Sequence, residues 1–186
     1  MNGNWEESKT RIINLPDDHP GTFALYISFI YTGQRPVTDK TAQELKMLSE
    51  DEFSKLTTAQ YKAVFNVLIL AEKLQDLKIK NAMMEAAVAT ALLRGPDGDW
   101  FVPSSCVINN IYRGTPPKSP ARRFVTDAWI GCSISENFAI ISRLNKDFVE
   151  DLGKGIDKHW VPVRMQATFQ STIWNAAAYQ EKSNED

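Results

Sequence analysis

Two histidines, two cysteines and two glycine-containing polar triplets are the residues of this chain with obvious chemical capacity. His19 sits in a Pro-Asp-Asp-His-Pro turn and His159 in Asp-Lys-His-Trp. Cys106 and Cys132 form no CxxC pair, and neither lies in a recognisable nucleophile motif. A Cys–His pair is therefore formally available, but nothing in the sequence orients one. Both thiols are expected to behave as small core hydrophobes. Gly153-Lys154-Gly155 lacks the glycine spacing and the following Ser or Thr of a phosphate-cradling loop. Asp97-Gly98-Asp99 lacks the remaining ligands of a calcium loop. Trp100, Trp129, Trp160 and Trp174 are too dispersed to form a ligand cage and are expected to pack between helices. No catalytic, cofactor-binding or metal-ligating residue is assigned, and the expectation is a protein that is not an enzyme.

Modification and binding motifs are more informative. Thr115-Pro116 and Ser119-Pro120-Ala121-Arg122 match proline-directed phosphorylation sites. A phosphate on Ser119 would lie at a helix N-terminus near Arg122 and Arg123, a favourable place for negative charge. The same serine is also a good N-cap, with Pro120 at the first helical position. Arg113, Lys118, Arg122 and Arg123 form a basic cluster with no acid between them. A helical nucleic-acid-binding regulatory module would use that cluster. However, the net charge is -2 and the pI about 5.8, and no base-stacking platform is evident, so nucleic acid is not the expected partner.

These residues must be positioned by helices. Hydrophobic residues make up 43% of the 186 and charged residues 24%, which is globular rather than disordered composition. Arg11–Leu15 reads as a short strand ended by Pro16. In residues 22–32, Phe23, Tyr26, Ile27 and Ile30 share one helical face, and Gly33 stops the helix. That helix is apolar on nearly all sides, so burial on more than one face is expected. Residues 34–57 are charge-rich and read as a surface excursion, partly helical, with Glu50-Asp51-Glu52 a solvated run. From Thr58, Tyr61, Val64, Phe65, Leu68, Ala71 and Leu74 keep helical spacing. Asp76 caps a second helix with Ile79, Met83, Ala86 and Ala87 inward, and the two helices are expected to pair.

Gly95-Pro96-Asp97-Gly98 is the candidate boundary between residues 1–94 and an extension over 99–155. In the extension, Ser104 or Ser105 caps a helix bearing Val107, Ile108, Ile111 and Tyr112. Gly114–Pro120 is a rigid loop, and the next helix carries Phe124, Val125 and Trp129. Further helices are expected near 135–143, 145–152 and 164–180. Residues 156–186 form a C-terminal helix, with Phe169, Ile173 and Ala176 on its inner face, and a polar tail. The two isolated thiols and the polar residues 1–10 suit an intracellular protein, in cytoplasm or nucleus. Phe23–Tyr31, the longest mostly apolar stretch, is too short to span a bilayer.

Three segments together resemble a BTB/POZ domain of the form common in fungal proteins. They are "GNWEES…RIINLPDDHPGTFALYISFIYTG", "VLILAEKLQDLKIKNAMMEA" (Val67 to Ala86) and "INNIYRGTPPKSPARRFVTDAW" (Ile108 to Trp129). The resemblance spans roughly residues 3–152 and implies a mostly α fold with one or a few short strands. It corresponds to a partial BTB/POZ domain followed by a helical extension. It also implies that the chain lacks the first half of the family's domain, through a misassigned start or a true truncation. The family's dimer surface lies largely in that half, so homodimerisation is not expected. Marginal stability or self-association would follow from the lost apolar cover. In members that recruit cullin scaffolds a hydrophobic-x-Glu motif precedes the strand, a pattern that Trp5 and Glu7 fit. The implied function is a protein–protein interaction module, an adaptor for a cullin-RING ubiquitin ligase or a partner of another BTB chain. The alternative is an incomplete gene product with no independent function.

Overall fold

Helix boundaries in this chain are set by capping side chains. His19 caps the first helix, α1 (Pro20–Thr32), by accepting from the Gly21 N–H at its Nδ1 (3.0 Å), with proline opening the helix. Gly33 ends it at φ 70°, in the left-handed region that glycine enters without strain. Thr41 with Glu44, and Ser49 with Glu52, form reciprocal capping boxes that start α2 (Ala42–Lys46) and α3 (Glu50–Lys73). Asp76 caps α4 (Leu77–Ala91) by accepting from the Ile79 N–H at 3.0 Å. The computed structural model describes residues 18–98, 101–131, 141–158 and 175–182. In the remainder of it, α5 (Ser105–Gly114), α6 (Pro120–Gly131) and α7 (Lys146–Lys158) are followed by a 3₁₀ turn, η1 (Ala176–Tyr179).

The described residues are mostly helical and contain no strand. The strand expected over 11–15 lies outside them, as do residues 135–140 and 164–174 of two expected helices. Of the helix expected over 164–180, the described residues 176–179 form a 3₁₀ turn rather than the end of an α-helix. The excursion expected over 34–57 is partly helical and mostly at the surface, but buried side chains anchor it. The Ser49–Glu52 box starts α3 eight residues before Thr58, and Leu45 and Phe53 are buried. Glu50, Asp51 and Glu52 are solvent-exposed as expected. No helix among the described residues is long and apolar enough to cross a membrane.

One core joins α1, α3 to α7 and η1. α3 packs on α4, on α1 and on α5, while α6 packs on α7. The Phe65 ring of α3 meets Phe124 of α6 at 6.0 Å, Trp129 meets Phe148 edge-on at 5.3 Å, and Tyr112 meets Phe148 edge-on at 5.5 Å. All five rings are buried. The core cluster runs from Tyr26 to Tyr179 and so continues across the 95–98 turn. The inner residues expected of α4, α5 and α6 are all buried.

Candidate interaction surface

α1 is anchored at one side and open at the other. Tyr26, its one fully buried side chain, donates its hydroxyl to Asp76 (2.9 Å), the residue that caps α4. Burial, then the hydrogen bond to Asp76 and its charge, push the Tyr26 phenol up to about 12. Asp18 pairs with Lys73 of α3 at 2.8 Å, and Arg35 pairs with Glu85 of α4. Ile27 and Phe29 are half-buried against the core.

The rest of the helix faces out. Phe23, Leu25, Ile30 and Tyr31 are exposed, Ile30 by 51% and Tyr31 by 83%. Ile30 and Tyr31 follow Phe23 by seven and eight residues, so the three share a face. Of the stripe expected from the spacing, Phe23-Tyr26-Ile27-Ile30, Tyr26 is buried and Ile27 is half-buried against the core, whereas Phe23 and Ile30 are exposed and Phe29 packs inward in their place.

The other expected site residues distribute differently. Ser119 is buried, and its Oγ accepts from the Arg122 N–H at 3.4 Å, so it caps α6. The basic cluster breaks up because Arg122 is inside. Its Nη2 donates to the carbonyls of Tyr112 (2.8 Å) and Thr115 (2.6 Å), and its guanidinium lies 4.4 Å from the Tyr112 ring centroid. Arg113, Lys118 and Arg123 remain exposed.

Cys106 is exposed near the start of α5, within 3.1 Å of the Ser104 hydroxyl, so the expectation of a core thiol fails there. It shares an open depression with Lys62, Asn66 and Arg113. His19 is occupied in capping, and Gly153-Lys154-Gly155 lies inside α7. No cluster of metal-ligating side chains occurs among the described residues. Trp129 packs between helices and donates its indole N–H to Pro103 O at 3.1 Å. Trp5, Glu7, Trp100, Cys132, His159, Trp160, Phe169, Ile173 and Trp174 lie outside the described residues.

A second polar arrangement involves residues that the periodicity did not single out. The segment 175–182, here termed the strap, lies on α4 and α6. The Asn81 side-chain amide donates to Glu181 O (3.0 Å) and accepts from Glu181 N–H (2.8 Å). Lys80 contacts Glu181 at 2.5 Å and Glu72 at 2.8 Å. Burial pulls the Lys80 pKa down, but its two carboxylate partners outweigh that and hold it above its ordinary value. Tyr179 is buried, packs edge-on against Phe124 at 5.4 Å, and donates to Asp127 at 2.9 Å. Burial and then the Asp127 carboxylate raise its pKa strongly. The alternation of Tyr179 and Glu181 was the available signal, hidden by a helix-period reading of 164–180. Comparison of the chain with family models, with curated proteins and with solved structures returns no match.

Proposed function

We propose that this chain is a non-enzymatic protein–protein interaction module that docks its partner through α1. The observation that carries this reading is the exposed apolar face of Phe23, Ile30 and Tyr31, on a helix pinned to the core by Tyr26. A pinned helix presents such side chains without first having to be ordered, which lowers the cost of association. In its finer form the module is an adaptor of the fungal BTB/POZ kind that recruits a cullin scaffold. That form is supported by the three sequence segments and by the Trp5-x-Glu7 pattern.

Titration of the purified chain against a cullin N-terminal region tests both levels. Ile30→Glu with Tyr31→Ser is expected to weaken binding by about tenfold or more, with little change in melting temperature. Unchanged binding would remove α1 as the docking element. Trp5→Ala with Glu7→Ala addresses the motif in the same way, and a wild-type chain that ignores cullin removes the adaptor form.

A further inference from the structure

We infer that the surface formed by α4 and α6 is a recognition groove for a peptide segment carrying a tyrosine and, two residues later, a carboxylate. The strap occupies that groove in cis. The inference uses none of the α1 side chains, so it stands or falls apart from the proposed function.

Three observations carry it. The first is alternation. Tyr179, the last residue of the 3₁₀ turn, and Glu181, which follows Gln180 in extended backbone (φ -84°, ψ 141°), are turned toward the protein; Ala178, Gln180 and Lys182 are exposed, although the Gln180 amide still donates to Glu85 at 2.8 Å. The second is that main-chain atoms are read by side chains of the groove. Asn81 closes a two-bond ring on the backbone of Glu181, and Arg123 donates to the Ala178 carbonyl at 3.2 Å. The third is that each inward side chain has its own chemical partner. The tyrosine ring meets Phe124 and its hydroxyl meets Asp127, while the carboxylate meets Lys80.

The site also stays chemically balanced when vacated. Lys80 keeps Glu72 as a counter-charge after Glu181 leaves, so opening the groove strands no buried cation. The Asp127 carboxylate fixes the form of the ligand. It accepts a phenol proton, and a phosphorylated tyrosine would bring two further negative charges against it. The occupant in trans is therefore a partner segment with unmodified tyrosine. Tethering gives the strap a high effective concentration, so the partner binds the intact chain only weakly until the strap is displaced.

The test uses the full-length chain and a labelled peptide with the sequence of residues 175–183, NAAAYQEKS, read by fluorescence anisotropy. Tyr179→Ser with Glu181→Ser should release the strap and bind the peptide about tenfold or more tighter than wild type. Adding Asn81→Ala should abolish the gain, and the phosphotyrosine peptide should not bind. A double variant with native circular dichroism that fails to bind overturns the inference, as does binding indifferent to Asn81→Ala. Should the double variant not fold, Glu181→Ser alone decides, because it keeps the Tyr179 ring. A gain of about threefold is then expected, and no gain overturns the proposal. A wild-type dimer made monomeric by the strap substitutions would also overturn it, assigning the groove to exchange between copies of the chain.

Discussion

At the scale of single residues, polar side chains in this protein tie elements together. Arg122 shows how a surface-charge reading fails. Its position beside Arg123 looks like half of a basic patch, yet its guanidinium satisfies the carbonyls at the end of α5 while stacking on Tyr112. Planarity, several donors and weak hydration suit arginine to that buried place. Tyr26 plays the matching role for α1, through Asp76. Its proton is needed for that hydrogen bond. With the phenol raised from 10.0 to about 12, the folded chain keeps the proton between those values while the unfolded chain releases it. The contribution is thus fully present below about pH 10 and is lost as pH rises toward 12. Stability from urea unfolding should fall over that interval. Tyr26→Phe should cost about 1 kcal/mol at neutral pH and flatten the alkaline slope. An identical slope in wild type and variant would show that Asp76 does not hold the proton. Tyr112 and Tyr179, also raised by burial, leave the variant with a residual slope.

At the scale of elements, local signals were legible and global ones were not. The Asp76 cap, the Ser119-Pro120 start of α6 and the inner stripes of α4 to α6 could be read from sequence because each is decided within a turn or two. Which face of α1 turns inward depends on a neighbour about fifty residues away, so only Tyr26 and Ile27 of its expected stripe pack inward. Capping at Ser49 was missed because the acids after it read as a solvated run, although Glu52 completes the box. Two glycines show the same divide. Gly153 in α7 has open space where a Cβ would stand, whereas a Cβ on Gly114 would lie 2.5 Å from the Ile69 side chain of α3. Gly153→Ala should therefore stabilise the chain by about 0.5–1 kcal/mol, through lower entropy in the unfolded state and better helix propensity. Gly114→Ala should cost about 1–3 kcal/mol by overpacking the α3–α5 contact. Urea midpoints of the two variants check the opposite signs, and two shifts of the same sign would contradict the close approach.

At the scale of the whole molecule, the issue is whether the turn at 95–98 separates two folding units. Its glycines and proline suggest a boundary, but packing crosses it. Phe65 of α3 touches Phe124 of α6, and Phe124 in turn touches Tyr179 of the strap. Both phenylalanines are almost wholly buried, so neither part can lose the contact without leaving a cavity. Coupling of that kind makes unfolding cooperative in a chain of this size. Phe124→Ala should cost about 3–5 kcal/mol, and the loss should appear in both parts together. Native-state hydrogen exchange reads this directly, because the slowest amides of α3 and α4 report the first part and those of α6 the second. With one cooperative unit, both sets lose protection by the same amount in the variant. If α3 and α4 keep their wild-type protection while α6 loses it, the turn is a true boundary. Residues 101–182 would then be an appendage that opens alone, and release of the strap would be one step of that opening.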